Sequence, residues 1–174
     1  FDVSRSAQIS DGRVTVVVDL GERMPRVQVE VKDSPGFLVN RGGRAYTNEA
    51  LRIVHEGVAK PEQVDAVMRD CWGFRMGPFA LMDLTGIDVN YPVSQIIYDG
   101  YNQDPRLTTS PNHQAMFDAG LFGRTTGQGG YEYDGKGQKM GPPHATLIRP
   151  DAPIPTGPAW PELCRPSGGV QAPA

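Results

Sequence analysis

Two cysteines and three histidines are all the thiol and imidazole ligands that the 174 residues offer. Cys71 and Cys164 stand far apart, no C-x-x-C occurs, and His55, His113 and His144 form no i, i+4 pair. No metal site is expected from such spacing. Reduced thiols are expected rather than a disulfide, in keeping with a cytoplasmic location. Positive charge in excess is also lacking. A net charge of -3 and a pI near 5.6 provide no general attraction to nucleic acid. No apolar run approaches the roughly 18 residues that cross a bilayer, and no charged-then-apolar leader opens the chain. Neither nucleic acid nor membrane is an expected partner. The chain starts at Phe1 rather than Met, so a fragment of a longer protein is expected.

The apolar share is a lean 39%, while 21 glycines and 16 prolines are many. Nine of the prolines fall between Pro142 and Pro173, so the excess is local and the body is ordinary globular material. This length predicts one domain, or one domain with an attached piece. From Arg26 to Lys32, "RVQVEVK" alternates strictly, which predicts a half-buried strand with Val27, Val29 and Val31 on one face. The preceding "SDGRVTVVVDLGERM" is ambiguous. Its valines favour a strand, whereas Ser10-Asp11 resembles a helix cap and Val14, Val17, Val18 and Gly21 fall at helical spacing.

From Pro35 onward the pattern is helical. A helix is predicted from about Phe37 to Glu56, with Val39, Gly43, Tyr46, Ala50, Ile53 and Val54 along one stripe and Gly57 as its stop. A second runs from Pro61 to about Cys71 and buries Val64, Val67 and Met68. A short apolar helix, Phe79 to Leu84, follows a Gly-Pro turn. Asp88 or Asn90 is the expected cap of the next helix, with Pro92 in or near its first turn. Ser110 caps another, with Pro111 at its first position and Gly120 as stop. Beyond Tyr133 the chain reads as an extended tail or linker that Leu147, Ile148, Ile154 and Trp160 tack onto a neighbour.

"GYEYDGK", Gly130 to Lys136, nearly spells a phosphate-binding loop, but Gly137 stands where a magnesium-binding hydroxyl is required. No dinucleotide-type glycine fingerprint opens a helix. The informative feature is an ordered set: "KDSPGFLVNR" at a helix entrance, "NEAL" within that helix, then "VDAVM", "FRMGPFALMDLTGID", "SP" before a helix, and "GLFGRTTGQGGYEY". With this series the chain resembles the C-terminal helical domain of the L-3-hydroxyacyl-CoA dehydrogenase family, a match that covers essentially Asp2 to Tyr133.

The resemblance implies a mainly α fold, a multi-helix domain of the 6-phosphogluconate dehydrogenase C-terminal-like type. A short α-β remnant of a Rossmann domain would precede it. It divides the chain into 1-33, the end of the NAD-binding domain; 34-134, the helical domain; and 135-174, a Pro/Gly-rich tail or linker. Ser10 to about Met24 becomes the last helix of the Rossmann domain, and cap and resemblance together favour helix there. The implied reaction is the oxidation of a 3-hydroxyacyl-CoA to the 3-oxoacyl-CoA, as in fatty acid β-oxidation. NAD would be bound by the missing N-terminal domain, and the helical domain would form a homodimer and close over the acyl-CoA.

Asn40 falls on the family's helical-domain asparagine, which hydrogen-bonds near the reacting oxygen. A neutral amide bonds that oxygen as hydroxyl or carbonyl without a change of charge, and a helix is a rigid mount. The plainer alternative is an asparagine bonded to local backbone. Asp2 falls on the glutamate that orients the family's catalytic histidine, one methylene shorter. Met76, Pro78 and Phe79 resemble the loop lining the acyl side, with core packing as the alternative. Gly42 and Gly43 replace larger apolar residues, which points to a close approach by another helix or by the acyl chain. Thr125 replaces a lysine and Gly130 an aromatic. Two further functions remain open: a non-catalytic helical dimerisation module, and a dehydrogenase of free 3-hydroxy acids.

Overall fold

The structure, a computed structural model, describes residues 2–5, 10–24 and 27–141. Cys164 and the apolar groups assigned to the tail lie outside the described residues. The chain opens as a strand, β1 (Asp2–Arg5), a helix, α1 (Asp11–Arg23), and a second strand, β2 (Val29–Lys32). The two strands pair in parallel, Asp2 opposite Val29 and Arg5 opposite Lys32. Parallel neighbours need a crossover connection, and α1 provides it. β1 has no alternating pattern to announce it. The Val16-Val17-Val18 run is therefore helical, and Val14 is the valine that packs inward, 5% exposed.

The half-buried face expected of 26–32 is found only at Val31, and residue 26 lies outside the described residues. The strand is shorter, and Val27 and Val29 are 80% and 39% exposed. Two strands and one helix make only two layers, so one sheet face has nothing over it among the described residues.

Five helices follow: α2 (Val39–His55), α3 (Pro61–Asp70), α4 (Pro78–Thr85), α5 (Ile87–Gly100) and α6 (Pro111–Asp118). α2 is central and packs against α3, α4 and α6. Its buried face carries Thr47, Ala50, Leu51 and Val54, so the apolar stripe holds in the last three turns. The N-terminal end departs from it: Val39 is 61% exposed. α2 ends before Gly57, at φ +71, and α6 begins as expected, with the Ser110 hydroxyl accepting from Asn112 N. The expected caps Asp88 and Asn90 both lie inside α5, whose N-cap is Gly86, φ +87. Pro92 is then in its second turn, and the Asp88 carbonyl gets no helical partner.

Beyond α6 a short hairpin, β3 (Glu132–Tyr133) with β4 (Lys139–Gly141), seats Tyr131 and Tyr133 in the core beside Phe79, Met82, Ile87 and Met116. The near phosphate-loop sequence is this hairpin. Cys71 lies at the exposed end of α3.

Candidate functional site

The first turn of α2 has no cap of its own. Leu38, at the N-cap position, has no polar side chain, and its amide and that of Val39 would be left without acceptors. Both donate to one carboxylate oxygen, Asp2 Oδ2, at 3.1 Å and 2.9 Å. β1 thus presents its first described residue as the cap of a helix 37 positions away. The anion sits where the helix dipole favours it. Asp2 Oδ1 is buried and meets no hydrogen-bond partner among the described residues.

Asn40 stands one residue into α2 beyond this cap, so the two polar residues singled out from the sequence come together at one helix end. The Asn40 carboxamide is exposed and bonds no described residue. Its backbone carbonyl accepts from Arg44 Nε at 3.3 Å. The asparagine is therefore not spent on its own segment.

Below Asn40 lies a groove of about 320 Å³ between α2, α4 and α5, walled by Val39, Leu81, Val89 and Val93. Gly43 and Arg44 contribute to its lining from α2. A Cβ added at Gly42 or Gly43 would meet nothing within 4 Å, so no helix of the described chain presses on either glycine. Arg44 is 7% exposed, although neither composition nor periodicity marks it for burial. Its Nη1 donates to Asn90 O at 3.1 Å and to Ser94 Oγ at 2.9 Å, and its Nη2 to Asn90 Oδ1 at 3.3 Å. Burial lowers its pKa from the usual arginine value.

Of the three residues assigned to the acyl-side loop, two are core. Phe79 is 0% exposed within the main cluster, and Pro78 is buried as the first residue of α4. Core packing is the correct reading for both, since enclosed side chains offer a ligand no surface. Met76 is half-buried, and its carbonyl accepts from Tyr46 OH at 2.8 Å.

The sequence reading also passed over two enclosed carboxylates. Asp65 caps α4, its Oδ1 accepting from Phe79 N at 2.8 Å and its Oδ2 from Ala80 N at 3.0 Å and Tyr131 OH at 2.9 Å. Asp83 accepts from Gly130 N at 2.7 Å, Tyr131 N at 2.9 Å and Tyr133 OH at 2.9 Å. Burial raises both pKa values, and the hydrogen bonds oppose it. The signal was in the glycines. A Cβ at Gly77 would collide with the Asp65 carboxylate, and one at Gly129 with that of Asp83. The glycines of "MGPF" and "GQGGY" are thus room for two buried carboxylates. Gly130, in place of an aromatic, keeps its amide on Asp83, and Thr125 is exposed. His113 on α6 is likewise enclosed, and neither ring nitrogen has a partner among the described residues.

The family described as the 3-hydroxyacyl-CoA dehydrogenase C-terminal domain matches residues 36–133, more than half of the chain. The chain belongs to the 3-hydroxyacyl-CoA dehydrogenase family. A probable 3-hydroxybutyryl-CoA dehydrogenase of Deinococcus radiodurans is 35% identical over 76% of this chain and 47% of its own length. The 3-hydroxyadipyl-CoA dehydrogenase of Escherichia coli is 41% identical over 60% of this chain and 22% of its own length. In structure, the (S)-3-hydroxybutyryl-CoA dehydrogenase of Ralstonia eutropha superimposes with a TM-score of 0.72 at 34% identity, covering 76% of this chain and 47% of that one. The chain spans about half the length of such 3-hydroxyacyl-CoA dehydrogenases.

NAD does not fit the described residues. The helix after β1 opens on Asp11, paired with Arg5 at 2.8 Å, where a dinucleotide's pyrophosphate would need bare amides. Among the described residues, no helix is long and apolar enough to cross a membrane and no cluster could hold a metal ion.

Proposed function

We propose that this chain is the substrate-closing half of an NAD-dependent 3-hydroxyacyl-CoA dehydrogenase, which interconverts a 3-hydroxyacyl-CoA and its 3-oxoacyl-CoA. The observation that carries the reading is the Asn40 carboxamide, exposed, lining a largely apolar groove and bonded to no described residue, on the helix whose end also holds the buried Asp2 Oδ1, which meets no partner among the described residues. Asn40 donates through its amide to the substrate's C3 oxygen and fixes it in place. Because the amide is neutral, it serves the alcohol and the ketone alike. Asp2 holds α2, and so Asn40, through Oδ2. Its Oδ1 is left to orient the base that takes the hydroxyl proton, a histidine outside the described residues. NAD, bound by a nucleotide domain outside them as well, supplies the redox partner. On this reading 1-33 closes that domain, and 34-134 binds substrate and pairs as a homodimer. An apolar groove lined by Ile53, Val58, Val64, Val67 and Met68 supports the pairing.

The test is NADH formation from a 3-hydroxyacyl-CoA by the enzyme assembled with its nucleotide-binding region. Asn40→Ala is expected to lower kcat/KM by about 10²-fold, the scale of one oxyanion donor, with folding unchanged. An unaltered kcat/KM would leave only a dimerisation module. The matched free 3-hydroxy acid is expected to be a poor substrate.

A further inference from the structure

Arg44 is a buried cation without a countercharge among the described residues. Every acceptor it meets is neutral: the carbonyls of Asn40 and Asn90, the Asn90 amide oxygen and the Ser94 hydroxyl. None of the ion pairs among the described residues includes it. Four bonds also leave one of its five N–H groups unused. Buried charges are ordinarily paired, because desolvation is costly. A bridge between α2 and α5 alone would be made as well by a neutral side chain of similar size. A guanidinium without a carboxylate, lining an open groove, is a site for an anion.

Asn40 and Arg44 both line the groove: Asn40 is exposed, and Arg44, 7% exposed, lies one helical turn further along α2. Four residues of helix separate them by about 6 Å. The apolar part of the groove's lining is Val39, Leu81, Val89 and Val93, and Tyr46, Thr47, Thr85 and Asn90 line it as well. On the reading proposed above, Asn40 holds the C3 oxygen. The coenzyme A arm is too bulky for the groove and must leave beside the exposed Asn40. Only the acyl tail can run along the groove, past apolar walls that suit methylenes, and it ends at Arg44.

We propose that Arg44 selects 3-hydroxyacyl-CoA substrates whose acyl chain ends in a carboxylate a few methylenes beyond C3, the monothioesters of short dicarboxylic acids. Gly43 keeps the route along α2 clear, since no atom within 4 Å fills the place of its missing Cβ. This proposal rests on the dehydrogenase reading and narrows its substrate class. Arg44 acts in specificity and takes no part in the proton transfer.

The experiment compares two 3-hydroxyacyl-CoA substrates of equal chain length, one ending in a methyl group and one in a carboxylate, on the assembled enzyme and on its Arg44→Met variant. The wild type is expected to favour the carboxylate by at least about 30-fold in kcat/KM, the scale of one buried charge partner. Arg44→Met is expected to lose that preference, its kcat/KM falling by a far larger factor on the carboxylate-ended substrate than on the methyl-ended one. A wild-type preference for the methyl-ended substrate overturns the proposal whether or not the variant folds. So does an equal loss of rate on both substrates in a folded variant. Calorimetry with the two unreactive saturated acyl-CoAs gives a readout apart from turnover, and equal affinities would count against the site. If the wild type oxidises neither substrate, the dehydrogenase reading itself falls, and the proposal with it. Turnover of the methyl-ended substrate alone rejects only Arg44's role.

Discussion

Asp2 joins two segments that the sequence keeps 36 residues apart, and its replacement tests that junction without any assay of turnover. One oxygen serves two amides, Leu38 N at 3.1 Å and Val39 N at 2.9 Å. Replacing a capping side chain by alanine costs about 1 kcal/mol, within about 0.5–2. The charge at the positive helix end makes up about 0.3–1 kcal/mol of such a loss. The buried Oδ1 works the other way, because removing an unpartnered oxygen returns part of its desolvation cost. Asp2→Ala is therefore expected to lose about 0.5–1.5 kcal/mol. Asp2→Asn, which keeps an oxygen acceptor but no charge, is expected to lose only the dipole share, and that share should shrink with added salt. The sharper assay is hydrogen exchange at the two amides. In Asp2→Ala both are expected to exchange from a few-fold to about tenfold faster, since 1.4 kcal/mol is a factor of ten. Amides in the last turn of α2 should not change. Unaltered exchange at Leu38 and Val39 would refute the cap, and with it the idea that β1 fixes the helix bearing Asn40.

Two other perturbations test the interior. Gly42→Ala and Gly43→Ala meet open space, so each is expected to stabilise the chain by about 0.5–1 kcal/mol, the helical cost of glycine relative to alanine; a lower Tm for either would refute the openness of this face. His113 is buried with no hydrogen-bond partner among the described residues, and burial, then the charge of Arg44, depresses its pKa from 6.5 to about 4. The unfolded chain binds the extra proton in that window, so this stability is complete above pH 6.5 and is lost as pH falls toward 4, about 3 kcal/mol in all. Asp65 and Asp83, with raised pKa values, act in the opposite sense and regain stability as they protonate. His113→Phe is expected to flatten the acid limb of a urea-denaturation series, and an acid limb identical to that of the wild type would refute the assignment.

Helices were legible where local chemistry sets them. Pro61 and Pro111 at first turns, Ser110 as a cap and Gly57 as a stop all follow from dihedral and hydrogen-bond rules that act over a few residues. Illegible were the features made by contacts distant in sequence. β1 becomes a strand only because β2 lies beside it, and the hairpin 132–141 forms where Asp83 collects the amides of Gly130 and Tyr131. Asp88 was a sensible cap by residue type. Gly86, at φ +87, turns the chain so tightly between α4 and α5 that the helix starts one residue ahead of it. Phe79 was assigned to the acyl side because a motif fixes only its place in the chain, whereas its burial depends on α2, α3 and the hairpin together.

The same reasoning explains why the informative end of α2 was misread. Periodicity places Val39 and Gly43 on the core stripe and leaves Arg44 off it, since a charged residue is counted as solvent-facing. The structure reverses both assignments: Val39 is 61% exposed and Arg44 7%. The reversal falls at the first turns of α2, where Val39, Asn40, Gly43 and Arg44 line the groove shared with α4 and α5. In that space the ordinary rule, apolar inward and charged outward, no longer describes packing within the chain. It describes what the chain leaves room for. Gly42, Gly43 and Arg44, each a poor choice for a helix that merely packs, are consistent with one another once the first turns of α2 are taken as the wall of a site. An acidic acyl tail would supply the countercharge that the fold does not.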